Sequence, residues 1–178
     1  IVTGYLKEKL TDFLLAKYPH IQFTFIHNEI YDTTNNIYSM ALAFDQIKID
    51  GDIILIESDL IYNSRIIKTL IEAPHENVAL IDKYSRGMDG TVFKVENGII
   101  THVIQPHLQP TNFNFSDKFK TLNIYKFSQK FASTEFKKLL IYYAKTIDNN
   151  CYYELILGIL IYMQREKIYG LTVGGDDW

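Results

Sequence analysis

The chain has 178 residues, 47% hydrophobic and 14% aromatic, with a formal net charge of −3, values that suit one globular domain and exclude a disordered or fibrous chain. The slightly acidic balance argues against a nucleic-acid partner, because neutralised phosphates supply most non-specific affinity for such polymers. The longest apolar segment, residues 155–163, falls far short of the roughly 20 residues that span a bilayer, and no signal-like N-terminus is present, so no membrane partner is expected. The single Cys151 cannot close an intrachain disulfide. Its place at the start of an apolar helical stretch reads as a buried thiol rather than a nucleophile, which points to a reducing, cytoplasmic compartment.

In chain order, IVTG predicts a short strand. LKEKLTDFLLAKY sets Leu6, Leu10, Phe13 and Leu14 at helical spacing, and Pro19 stops that helix. IQFTFI (21–26) reads as a strand, the polar HNEIYDTTNN as a loop, and IYSMALAFDQI as a helix with Asn35 or Asn36 as its N-cap. DIILIE (52–57) predicts a strand, NSRIIKTLIEA a helix capped by Asn63 or Ser64, and NVALID (77–82) a further strand. Strands alternating with helices of about ten residues are the mark of βαβ units and a parallel sheet. TVFKVENGIITHVI then reads as a hairpin turning at Asn97-Gly98. KTLNIYKF predicts a strand, residues 128–147 a helix with Phe131, Phe136, Leu139, Leu140 and Tyr143 inward, CYYELILGILIYMQREK a second helix, and IYGLTV a last strand. The expected fold is α/β: a Rossmann-like, mostly parallel mixed sheet flanked by helices, in one domain over residues 1–178.

Ligands of open parallel sheets bind beyond the carboxyl ends of the strands. The strand 52–57 ends in Glu57 and Asp59, and the strand 77–82 ends in Asp82. Hard cations such as Mg²⁺ are held by one or two carboxylates plus substrate phosphates, which makes Asp59 a candidate ligand; the alternatives are a cap for the following helix or a solvated loop acid. DKYSRGMDGT (82–91) gathers Asp82, Lys83, Arg86 and Asp89 around two glycines and could fold over a ligand or serve as a plain turn. Lys120 could grip a phosphoryl oxygen as a point charge, or lie at the surface. Tyr152, Tyr153 and Glu154 could form an aromatic and acidic pocket for an ammonium group, or pack in the core. The five histidines are scattered without metal-ligand spacing, and neither a nucleophile arrangement nor a glycine-rich phosphate loop is present.

Seven segments in the same order carry a resemblance. IVTGYLKE, NEIYDTTNNIYSM and IESDLIY resemble the middle of nucleotidyltransferases of the GT-A-like α/β fold, in particular the CTP:phosphocholine cytidylyltransferases. DKYSRGMDGTV, FKTLNIYKFS, YYE and the terminal GGDDW look more specifically like the CTP:2-aminoethylphosphonate cytidylyltransferase domains found with phosphoenolpyruvate phosphomutase. The resemblance covers nearly the whole chain. It implies transfer of CMP from CTP to a small phosphonate or phosphorylated acceptor, with Mg²⁺ as cofactor and pyrophosphate leaving; positioning and charge neutralisation do the work in such transfers.

By the same resemblance Asp59 holds Mg²⁺ between the reacting phosphates, Asn36 supports the nucleotide, and Lys120 binds the acceptor's phosphonate. Asp89, Tyr153 and Glu154 face the acceptor's amine or other head group, and Asp82 lines the site. The family's N-terminal glycine-rich loop and a second metal-binding Asp after a Trp such as Trp178 are not in the sequence, so a trimmed piece of a larger protein is expected rather than a degenerate member. A homodimer, or fusion to other domains, is compatible with the sequence. A sugar-1-phosphate nucleotidyltransferase and a non-catalytic nucleotide-binding scaffold are the alternatives.

Overall fold

The computed structural model describes residues 1–174 and 177–178; Gly175 and Asp176, within the GGDDW segment, lie outside the described residues. The chain forms two compact units, one of residues 1–48 and 137–153, the other of residues 49–136 and 154–178.

The first unit contains a two-stranded parallel sheet of β1 (Val2–Thr3) and β2 (Ile26–His27) with Val2 opposite Ile26. It also holds α1 (Lys7–Lys17), α2 (Asn36–Gln46) and α5 (Lys137–Thr146). The strand expected over 21–26 shrinks to its last residue plus His27. A strand persists only where a ladder partner exists, and β1 supplies two residues; Phe23 and Phe25 stack on each other instead, with centroids 5.6 Å apart. Asn35 is the N-cap of α2, its side chain accepting from the Asn36 N–H. Ile37, Ala41 and Phe44 of α2 are buried, as are Leu140 and Ala144 of α5, and an Asp45–Lys145 ion pair of 2.7 Å ties the two helices. Helix α1 forms over the expected residues, but none of them is buried, Leu10 and Phe13 being 41% and 53% exposed. Its apolar spacing was sufficient for a helix, and no described element covers that face.

The second unit is built on a six-stranded sheet in the order β3-β7-β4-β8-β6-β5, with β5 also paired to β7. These strands are β3 (Ile53–Ile56), β4 (Val78–Lys83), β5 (Val92–Glu96), β6 (Ile99–Ile104), β7 (Lys118–Phe127) and β8 (Tyr169–Thr172). The expectation of a mostly parallel sheet is corrected here: only β4 and β8 pair in parallel, while β3–β7, β4–β7, β5–β6, β5–β7 and β6–β8 are antiparallel. The reason is β7. This ten-residue strand returns from the hairpin and inserts between β3 and β4, so two strands that run the same way never touch. The hairpin itself turns as Asn-Gly requires, with Asn97 and Gly98 at φ 51° and 78°.

Helix α3 (Arg65–Glu72) covers one face, Ile66 and Leu70 packing with Val78, Leu80, Leu122, Ile124 and Val173. Alternate residues of the same strands, Ala79, Ile81, Tyr125 and Phe127, are equally buried, as period-two side-chain alternation demands. Phe127, Phe131 and Phe136 form an aromatic cluster with centroids 5.1–5.8 Å apart. Helix α6 (Glu154–Tyr162) lies on β6, where a side chain on Gly158 would meet Val103. The single helix expected over 128–147 is interrupted: Ser128 caps a turn, α4 (Gln129–Phe131), and a π segment (Ala132–Phe136) follows before α5. No helix among the described residues is long and apolar enough to cross a membrane.

Candidate functional site

Because β3 and β4 run in the same direction on either side of antiparallel β7, their carboxyl ends lie where β7 begins. Asp82, the fifth residue of β4, is opposite Lys120, and Lys120 is also opposite Val92 of β5. Glu57 follows β3, its N–H donating to the Asn123 carbonyl at 3.3 Å. The topology therefore brings Glu57, Asp82 and Lys120 to one sheet edge.

Lys120 sits at the centre of this edge. Burial pushes its ammonium below the usual lysine range, while Glu154, Asp89, Glu57 and Asp59 pull it back up through their charges. It makes no salt bridge among the described residues, so its charge is offset by several carboxylates in reach rather than neutralised by one. Its Nζ lies 2.9 Å from where a Cβ on Gly90 would stand, and Gly90 has φ +85°. The glycine noticed in DKYSRGMDGT thus leaves the lane through which the lysine reaches the edge. Gly90→Ala should displace Lys120 and strain the turn together, costing about 1–3 kcal/mol of stability. Thermal unfolding at fixed pH checks this, and an unchanged midpoint would contradict the packing.

Glu154, the first residue of α6, is only 3% exposed. Burial above all, with the neighbouring Glu57 charge, raises its carboxyl to about 7, against the opposing pull of its own backbone N–H, Lys120 and Thr91. The Glu154 Oε2 and the Thr91 hydroxyl are buried without a well-formed hydrogen bond. Such orphans are rare in a folded interior and call for an explanation.

Asp82 is fully engaged: its Oδ1 accepts from the Lys83 N–H at 2.7 Å and its Oδ2 from the Trp178 indole N–H at 2.9 Å. The segment carrying Trp178 also ties the loop that holds Asp59, since the Asn63 N–H donates to the Asp177 carbonyl at 2.8 Å and Arg65 pairs with the Asp177 carboxylate. Asp59 stands exposed in a turn of that loop, and Asp89 is exposed in the irregular segment before Gly90. Asp59 does not cap α3; the Arg65 N–H is taken by Asn63 Oδ1 at 3.0 Å. Among the described residues no three His, Cys, Asp or Glu side chains converge as a cation cage. One exposed carboxylate at a strand end fits the protein's share of a Mg²⁺ site completed by phosphates.

The other two expected residues belong to the first unit. Tyr153 is fully buried there and its N–H donates to Asn36 Oδ1 at 3.0 Å, which joins the start of α2 to the end of the 137–153 segment. Tyr152 is exposed. Asn123 and Thr91 were not singled out in the sequence, and Glu57 was named at its strand end without a role. For Asn123 a signal existed: an asparagine inside the apolar run TLNIY is a poor strand former and marks an irregularity.

No protein-family model matches the chain. A CMP-5'-(3-aminopropyl)phosphonate synthase from Streptomyces rubellomurinus is 24% identical over 179 aligned residues, covering 100% of this chain and 27% of that protein. The chain thus spans about a quarter of the curated relative it matches. Among solved structures, the inositol-1-phosphate CTP transferase from T. maritima superposes with a TM-score of 0.69 at 14% identity, over 98% of this chain and 65% of that one. The CTP:phosphocholine cytidylyltransferase from Streptococcus pneumoniae gives 0.64 at 15% identity, over 99% and 69%. The chain has the α/β fold of the nucleotidyltransferases, and its sequence resembles that family.

Proposed function

We propose that the chain is the acceptor-binding part of a Mg²⁺-dependent cytidylyltransferase that transfers CMP from CTP to a small aminoalkylphosphonate or phosphorylated amine. In this reaction an acceptor oxygen attacks the α-phosphorus of CTP, a new P–O bond forms, and the bond to the leaving pyrophosphate breaks. The observation that carries the reading is the pairing of opposite chemistries at one sheet edge. Lys120 offers a half-buried ammonium, while Glu154 beside it offers a buried carboxyl with an unused oxygen. A zwitterion with a phosphonate at one end and an amine at the other complements that pair. The named activity of the Streptomyces relative, which makes a CMP-aminoalkylphosphonate, supports the same choice.

In this reading Lys120 binds the phosphonate and lowers the repulsion between it and the nucleotide phosphates. Asp89 and Glu154 receive the amine, and Asp82 holds Trp178 and with it the edge. Asp59 is the residue that would hold Mg²⁺, which when bound neutralises phosphate charge. The experiment is pyrophosphate release by the full-length protein with CTP, Mg²⁺ and 2-aminoethylphosphonate. Release is expected, and Asp59→Ala should abolish it with the fold intact; activity retained in that variant would remove Asp59 from the metal site. Turnover of a sugar-1-phosphate or inositol-1-phosphate without turnover of amino-phosphonates would transfer the proposal to a polyol-phosphate acceptor, the kind named for the T. maritima enzyme. Nucleotide binding with no release under any acceptor would make the chain a scaffold.

A further inference from the structure

The centre of β7 contains a conformational outlier. Asn123 has φ +56°, in the left-handed region that non-glycine residues enter at a cost and that asparagine tolerates best. The register with β4 slips at this point: Ala79 faces Tyr125 but Ile81 faces Thr121, so β7 carries two extra residues around Asn123. Bulges of this kind re-aim side chains, and residues in sparsely populated conformations persist where the surroundings over-determine them.

Three contacts over-determine this one. The Asn123 N–H donates to Thr121 Oγ1 at 3.1 Å, and that hydroxyl is itself bonded to the buried Tyr125 hydroxyl at 2.8 Å. The Asn123 carbonyl accepts from the Glu57 N–H, and its Nδ2 donates to Glu57 Oε2 at 2.7 Å. Main chain and side chain of one bulged residue therefore grip main chain and side chain of Glu57. The consequence reaches the site, because the charge of Glu57 acts on both Lys120 and Glu154. An independent feature points to a polar ligand: Glu154, nine-tenths buried, keeps Oε2 without a well-formed hydrogen bond, as does the buried Asn123 Oδ1.

We propose that Asn123 is a positioning residue which, from the bulge of β7, holds Glu57 beside Glu154 so that the two carboxyl groups together receive the acceptor's ammonium next to Lys120. Glu57 thereby becomes a specificity residue for amine-bearing acceptors. The ammonium part rests on the cytidylyltransferase reading; the positioning part does not. An ammonium shared by two carboxyl groups satisfies the orphaned oxygen with a charge-assisted bond, which a neutral head group cannot do.

Asn123→Gly separates the two roles of the residue, since glycine keeps the left-handed backbone at no steric cost and deletes only the amide. In the full-length protein this variant should fold, leave the KM for CTP unchanged, and raise the KM for 2-aminoethylphosphonate about tenfold, the equivalent of about 1.4 kcal/mol. Ethylphosphonate, which has no amine, should lose nothing. Glu57→Gln should show the same selective loss. Equal losses for both phosphonates, or none for the amine, overturn the ammonium subsite while the cytidylyltransferase reading stands. A wild-type protein inert to CTP with either phosphonate fails that reading and the ammonium subsite together. The positioning role is decided without any ligand: a crystal structure of Asn123→Gly should show the Glu57 carboxylate displaced, and an unmoved carboxylate overturns it.

Discussion

Lys120→Ala should raise the acceptor KM roughly 10- to 100-fold, the equivalent of losing one charge-assisted hydrogen bond of about 1.5–3 kcal/mol, and should leave the KM for CTP largely unchanged. Lys120 lies on β7 opposite Asp82 and Val92, so its backbone is fixed by ladders on both sides. Its ammonium is drawn into the space over Gly90 and is balanced only by several carboxylates in reach. Such a group is held ready for an anion. Lys120→Arg should not restore affinity, because a guanidinium is larger and planar and the lane over Gly90 is already filled at 2.9 Å. An unchanged acceptor KM in Lys120→Ala, measured with the protein folded, would remove the lysine from the acceptor site. A rise confined to the KM for CTP would move it to the nucleotide.

Glu154→Gln should flatten the pH dependence of stability between about pH 4.5 and 7. In the folded protein burial raises the Glu154 carboxyl from the ordinary 4.5 to about 7. The folded state thus binds a proton in this window that the unfolded state has released. The stabilisation is fully present below pH 4.5 and is lost as the pH rises through about 7. A difference of that size corresponds to about 3 kcal/mol between the two limits. The quantity to measure is wild type minus variant, from urea unfolding at a series of pH values, so that every group common to both cancels. That difference should fall steadily as the pH rises. A constant difference would mean that Glu154 titrates normally and is not desolvated.

The sequence by itself determined the local elements and the chemistry at their ends. Apolar runs closing on Glu57 and Asp82, the Asn-Gly hairpin, the Asn35 cap and the paired glycines of DKYSRGMDGT are all short-range signals, set by periodicity, side-chain capping and left-handed φ, and each is found where it was expected. The fold class α/β and the resemblance to nucleotidyltransferases follow from the same short segments. Strand pairing was not legible. Whether β3 and β4 adjoin depends on β7, which arrives more than 30 residues after β4, and no local pattern records which edge a distant strand will enter. That insertion made the sheet largely antiparallel and placed Lys120 opposite Asp82. Tertiary structure also decided the states of the charged groups. Glu154 and Asp89 are both acids in the sequence, yet one is buried with a raised carboxyl and the other is exposed, because desolvation depends on what packs around a side chain. Asn123 shows both sides of this division: its residue type marks an irregular strand, but only the fold brings its amide to Glu57.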